Sequence, residues 1–332
     1  MREKYLIIGE KMLLLQYISK RTFLMANKID FNQIKVNNPR TEDFSIAGFV
    51  VRLVMNSEST LWNQLEQYQP FVMAPDPERE TLFTMTVVEK ENWYRGDVYE
   101  EEYRQEEEGM EIAAAHVDGY RCYMFVLYGR VACRVICNDD FSHVMVLLTN
   151  NELYGLNNAM MLTYAFATAN RQTVLFHSSV TVLDDYAYMF LGKSGTGKST
   201  HSSLWLKNFP EAHLLNDDNP VMRVEDGKGY IYGTPWSGKT PCYRNLKYPI
   251  GALVQLKQAP YNKITRLAPI KAYSYMLPSI SGMRWEKKLS EGIHFTENWI
   301  VSNLPVYFLE CLPDDDAALL SKSMITVKAD NK

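Results

Sequence analysis

The sequence predicts an α/β domain, built on a strand, a glycine-rich loop and a helix, preceded by a smaller α+β domain. Three observations predict it. The chain has 332 residues, about two domains at roughly 150 residues each. Short apolar and β-branched runs, punctuated by turn residues, fill the first half. Beyond about residue 170 the order becomes strand, glycine-rich loop, helix.

Composition narrows the class. Hydrophobic residues make up 46% and charged residues 22%, which excludes a disordered, collagen-like or disulfide-scaffold protein. Lys and Arg total 35 against 39 for Asp and Glu, a net charge of −4. A general nucleic-acid or anionic-membrane binder carries a basic excess, so neither is expected as a partner. Five cysteines are too few for a disulfide framework and read as reduced thiols of a cytoplasmic protein.

Residues 1–26 read as an extension without a fold of its own, or as sequence upstream of a natural start at Met25. The apolar run Tyr5 to Leu15 is interrupted, and Glu10, Lys11, Lys20 and Arg21 argue against a secretory signal or a membrane helix. Residues 27–168 form the α+β domain. Its strand candidates are Ser45–Val54, Leu82–Val88, Tyr120–Tyr128, Ala132–Cys137 and His143–Thr149. Asp118-Gly119, Gly129-Arg130 and Asn138-Asp139-Asp140 mark turns. Thr60–Tyr68 and Asn151–Thr168 have helical spacing, with Leu156, Met160, Tyr164 and Phe166 near one side. The acidic run Tyr99 to Gly109 reads as a solvated loop or helix face. Exposed strand edges in this domain would support a homo-oligomer.

Residues 169–332 form the second domain. A strand, Thr173–Val182, and the turn Asp184-Asp185 lead to a second strand, Tyr186–Leu191. Then Gly192-Lys193-Ser194-Gly195-Thr196-Gly197-Lys198-Ser199 fits G-x-x-x-x-G-K-[ST] at every fixed position. Glycines let the backbone curl with its N–H groups inward, some at dihedrals a Cβ would forbid. The following helix, from Thr200, presents its positive N-terminal end to an anion. Lys198 would reach β- and γ-phosphates, and Ser199 would offer a hydroxyl to Mg²⁺. The candidate nucleotide-binding residues are therefore Gly192, Ser194, Gly195, Thr196, Gly197, Lys198, Ser199 and Thr200.

Such a loop needs an acidic group at the end of a nearby strand. The apolar run Ala212–Leu215 enters Asn216-Asp217-Asp218, 18 residues or so beyond Ser199. If the strand continued, Asp217 and Asp218 would point to opposite faces, one toward a metal and one toward an acceptor. The stretch Gly229–Thr240 ends in a Gly/Pro-rich loop, where Lys239 and then Arg244 would complete a phosphate clamp or simply flank a tight turn. His177 lies on the strand before the hairpin that carries the loop, so the hairpin would bring it near the phosphates as a donor or proton carrier. Three patterns are set aside. Asn27–Asp30 matches N-K-x-D but lies upstream of the loop. Asp226–Gly229 matches D-x-x-G but reads as a hairpin turn. Cys133 and Cys137 lack a second pair for zinc.

These residues carry a resemblance. From about Leu175 to Leu312 the chain resembles the C-terminal domain of HPr kinase/phosphorylase and is more distantly similar to ATP-dependent phosphoenolpyruvate carboxykinase. His177, the loop Gly192–Ser199 and Leu214–Asp218 carry it, with Ile250–Leu256, Leu267–Leu277 and Pro305–Leu309 reading similarly. The resemblance implies a kinase-like mixed sheet with flanking helices, and ATP and Mg²⁺ as cofactors. It implies Lys198 and Ser199 on phosphate and metal, His177 at the site, and one of Asp217 and Asp218 as the base. The other would be a metal ligand, with Asp218 placed alongside Ser199 in that role. The chain departs from the family in lacking an Arg-Gly-Arg-Asn-like signature and in opening its helix Thr200-His201-Ser202-Ser203, without an acidic residue. The reading is an ATP- and Mg²⁺-dependent phosphotransferase acting on a hydroxyl of a protein, peptide or small molecule. The alternatives are a non-catalytic nucleotide-binding regulator and a carboxykinase-like enzyme.

Overall fold

A computed structural model describes residues 5–8, 11–14, 29–94, 99–107, 109–238 and 240–327. The reading of 1–26 as an extension lies mostly outside them. Within that stretch, β1 (Tyr5–Ile8) and β2 (Lys11–Leu14) pair as a two-stranded antiparallel ribbon. The rest is a mixed α/β chain with two large mixed sheets. Among the described residues no helix is long and apolar enough to cross a membrane.

The first sheet takes β3 (Pro39–Ile46), β4 (Phe49–Asn56), β5 (Phe83–Val87), β6 (Tyr99–Glu107), β7 (Met110–Val117), β8 (Tyr120–Leu127), β9 (Arg130–Cys137) and β10 (His143–Leu148). Its spatial order is β3-β4-β5-β10-β9-β8-β7-β6. β4 with β5 and β5 with β10 run parallel. The run Ser45–Val54, expected as one strand, is broken. Ala47 and Gly48, at φ 47° and 78°, turn it back as a two-residue hairpin between β3 and β4. The helical spacing of Thr60–Tyr68 gives short 3-10 turns at Thr60–Gln64 and Glu66–Phe71. The acidic run is β6 at the sheet's edge, with Glu101, Glu102 and Glu106 exposed. An extended strand spaces these charges on alternate sides better than a helix face would.

Helix α1 (Glu152–Thr168) follows, with Leu156, Met160, Tyr164 and Phe166 buried as their spacing predicts. The second sheet takes β11 (Thr173–Phe176), β12 (Ser178–Leu183), β13 (Tyr186–Leu191), then helix α2 (Lys198–Asn208) and β14 (His213–Asn216). It continues through β15 (Val221–Glu225), β16 (Lys228–Tyr232), β17 (Lys247–Gln258) and β18 (Lys263–Arg266). Helix α3 (Pro269–Met276), β19 (Ile280–Ser281), α4 (Lys287–Asn303), β20 (Val306–Cys311) and α5 (Asp315–Ile325) complete it. The order is β14-β12-β13-β17-β16-β15-β11-β19, with β20 also on β17 and β18 on β20. β17 is parallel to both β13 and β20.

Two findings revise the sequence expectation here. Thr173–Val182 is two strands, because the chain steps at His177 from a pairing with β15 and β19 to one with β13 and β14. The strand before the acidic pair ends at Asn216, so Asp217 and Asp218 lie in the turn and not on opposite faces of a continuing strand.

Compact units do not follow a single cut in the chain. One contains residues 1–42, 51–64 and 75–160; the other contains 43–50, 65–74 and 161–332. The two short segments join the second unit for a packing reason. Trp236 Nε1 donates to Tyr68 Oη at 3.1 Å, Phe44 stacks on Tyr68, and Arg223 lies over Phe49 while donating to the Ala47 carbonyl.

The core over α2 is aromatic. Trp205 is fully buried against Tyr188, Phe190 and Phe209, at centroid distances of 5.2, 5.4 and 5.4 Å. Its indole N–H and His201 both reach Ser321 on α5. His201 is 3% exposed, and burial pushes its pKa from 6.5 down to about 4. The folded state therefore resists a proton that the unfolded chain accepts below pH 6.5. Stability from this group is intact above about pH 6.5 and falls as the pH drops toward 4, by about 3 kcal/mol in all. Urea unfolding of wild type and His201→Gln between pH 7.5 and 4.5 should show a slope in that window that the variant loses.

Candidate functional site

The sheet delivers the glycine-rich loop from a strand buried along most of its length. Every residue of β13 after Tyr186 is buried, so its C-terminal end is fixed. The chain then leaves through Gly192, where a Cβ would meet Thr196 at 3.0 Å. Gly197, at φ 104°, is the left-handed residue that opens α2, and only the absence of a side chain makes that conformation cheap. Gln258, at the end of β17, donates to the Gly195 carbonyl at 3.1 Å and ties the loop to the neighbouring strand. Ser194, Ser199 and Thr200 are exposed along the loop and the first turn of α2, and Thr196 is half-buried.

Lys198 folds inward. It is 8% exposed, and its ammonium lies 2.9 Å from the Gly192 carbonyl, 3.3 Å from the Lys193 carbonyl and 2.9 Å from His177 Nε2. An ammonium has three protons and no acceptor, so these three contacts use all of them. Burial lowers its pKa, and the charges of Asp218 and Asp217 oppose that.

His177 is where the hairpin expectation places it. Ser178 pairs with Leu191 across β12 and β13, which sets His177 beside the start of the loop. Its backbone N–H is held by the Ser279 carbonyl at 2.7 Å. Its Nδ1 lies 2.9 Å from Asp218 Oδ1. The Lys198 ammonium is thus bonded to one ring nitrogen of His177 while the other ring nitrogen lies against the Asp218 carboxylate.

The two acids have different surroundings. Asp218 is 30% exposed at its side chain, and its backbone is pinned on both sides: N–H to Asn216 Oδ1, and carbonyl to the Ser178 N–H. Asp217 is 8% exposed. Ser179 Oγ donates to its Oδ1 at 2.6 Å and Thr240 Oγ1 to its Oδ2 at 2.6 Å. Ser179 lies 2.6 Å from Ser202 on α2, and Ser237 Oγ accepts the Asp217 N–H. These hydroxyls were not read from the sequence. Ser, Thr and Gln at such distant positions carry no spacing signal.

Of the two expected clamp residues, Lys239 lies outside the described residues. Arg244 is exposed, and its charge is felt at Cys242 and His213. Among the described residues no group of three or more His, Cys, Asp or Glu side chains is placed to hold a metal ion.

The residues present fit a phosphate group and a phosphate-bound Mg²⁺. The loop is a cradle that side chains at Gly192 and Gly197 would disturb, and it opens onto the first turn of a helix. Mg²⁺ commonly takes one or two protein oxygens and leaves the remaining positions to phosphate and water. Ser199, exposed on the first turn of α2, and Asp218, partly exposed, are the oxygens that would be offered for that role.

No family model matches the chain, and no curated protein matches it. One solved structure, the Hpr(Ser) kinase/phosphatase from Coxiella burnetii, is similar over 46% of this chain and 93% of its own, with 11% identity and a TM-score of 0.27.

The hydroxyl network around Asp217 has a measurable worth. Ser179→Ala would leave the buried Ser202 hydroxyl and one oxygen of Asp217 without their partner, costing about 2 kcal/mol. A matching fall in unfolding free energy, read by urea titration, is the expected result.

Proposed function

We propose that the second unit is an ATP- and Mg²⁺-dependent phosphotransferase that moves the γ-phosphoryl group to a hydroxyl, with a kinase-like arrangement of the HPr kinase type. One observation carries the proposal. A buried lysine at the head of the loop helix is joined through His177 to Asp218, with Asp217 held beside it in a hydroxyl network. The order of His177, glycine-rich loop and Asp-Asp pair supports the same reading.

Phosphoryl transfer asks a protein mainly for positioning and for charge opposite the phosphates. The loop N–H groups and the helix terminus would bind the anion. Lys198 would turn from its carbonyl partners toward β- and γ-oxygens, exchanging weak dipoles for full charges. Ser199 and Asp218 would hold Mg²⁺, which when bound neutralises developing charge on the phosphates. His177, with Nδ1 2.9 Å from Asp218 Oδ1, would help hold that carboxylate in place. Asp217, whose carboxylate already receives hydroxyl protons at 2.6 Å, would take the proton of the acceptor hydroxyl.

Lys198→Ala should lose turnover by about three orders of magnitude while still unfolding in a single cooperative urea transition, which shows that the variant is folded. Transfer from γ-labelled ATP to a cell-extract fraction checks this. Wild-type rates in the variant would sink the loop as donor site.

A further inference from the structure

One hydroxyl of the chain is already hydrogen-bonded to the acid proposed as the base. Asp217 Oδ2 accepts from Thr240 Oγ1 at 2.6 Å, within the distance a general base needs. The other carboxylate oxygen is engaged by Ser179, which is completely buried and further bound to Ser202. The two hydroxyls differ in what they can become. A phosphate dianion at Ser179 would have to sit in a dry interior at a large desolvation cost. Thr240 is an exposed loop residue whose bond to Asp217 is only partly buried, so a phosphate there keeps contact with water. Its backbone is fixed as well: the Thr240 carbonyl accepts from Ser237 Oγ at 3.0 Å, and that same oxygen accepts the Asp217 N–H. The loop is thus tied to the acid at two points, and the hydroxyl is presented rather than drifting past. Asp217 is next in the chain to Asp218, whose carboxylate lies 2.9 Å from His177 Nδ1, and His177 Nε2 lies 2.9 Å from the Lys198 ammonium.

We infer that Thr240 is a phosphoryl acceptor in cis, so that the protein modifies itself at this residue. The inference rests on the reading of the site as an ATP-dependent phosphotransferase. In the step, Thr240 Oγ1 forms a bond to the γ-phosphorus of ATP as the bond from that phosphorus to the β–γ bridging oxygen breaks. The hydroxyl proton passes to Asp217 Oδ2, and ADP leaves with the electron pair of the broken bond. Phosphothreonine then faces Asp217 with added negative charge and no proton to donate, so the hydrogen bond that ties the loop to Asp217 is lost.

The test has two parts. Full-length protein is incubated with Mg²⁺ and γ-labelled ATP, and the modified residue is mapped by peptide mass spectrometry. Phosphate is expected at Thr240, at a rate per molecule unchanged by tenfold dilution, lost in Thr240→Val and retained in Thr240→Ser. Separately, without nucleotide, Thr240→Val should lower the urea midpoint and Thr240→Ser restore it, which reports the Thr240–Asp217 hydrogen bond itself. Displacement of a fluorescent nucleotide by ATP distinguishes the failures. ATP bound with Thr240 unmodified, or label on Ser179 or elsewhere that Thr240→Val keeps, overturns this inference alone. No ATP binding overturns the phosphotransferase reading and this inference with it. An unchanged midpoint in Thr240→Val overturns the contact on which it stands.

Discussion

A buried ammonium is the constraint on which the site depends. Lys198 begins a helix whose other face is packed against an aromatic core, and its side chain is folded back onto the loop. A cation withdrawn from solvent needs partners or loses its proton. The loop supplies two carbonyls, and it can turn them inward because Gly192 and Gly197 adopt conformations that other residues resist. The third partner must accept without being an anion, or the lysine would be locked in an ion pair. The imidazole of His177 is the third partner, with Asp218 on its far side.

The same economy separates the two neighbouring acids. Adjacent in sequence, they share a turn, and a shared turn sends consecutive side chains in different directions. Asp217 goes into the interior, where only a full set of hydroxyl donors makes a carboxylate tolerable. Asp218 remains in partial contact with water beside the imidazole. One acid is thereby rigid and the other accessible, a division that the primary structure of two identical residues does not display.

How far this was legible in the sequence follows from the range of each signal. The glycine-rich loop, the strand before it and the position of His177 across a hairpin all depend on short local patterns, and they read correctly as local structure. The helix around Leu156, Met160 and Tyr164 did too. Interruptions of one or two residues did not. Ala47-Gly48 and His177 each break a run of β-formers whose composition stays continuous, and only the change of pairing partner reveals the break. Ser179, Ser202 and Thr240 were invisible for another reason: they meet Asp217 or one another across 38, 23 and 23 residues of chain, and a lone hydroxyl on a strand, helix or loop has no periodicity to betray it. The acidic strand β6 was hidden by charge, since propensity for glutamate disfavours a strand that the ladder with β7 nevertheless imposes.

The segments at 43–50 and 65–74 give the molecule a timetable. Tyr68 is 1% exposed, yet the indole that caps its hydroxyl is 168 residues later in the chain. During synthesis at about 5–20 residues per second, roughly 8–34 seconds separate the emergence of the two. For that interval the Tyr68 hydroxyl lacks the indole that caps it in the folded chain. The nascent chain therefore passes through a stage at which it is incomplete by construction, and its yield in a cell depends on how well that interval is shielded.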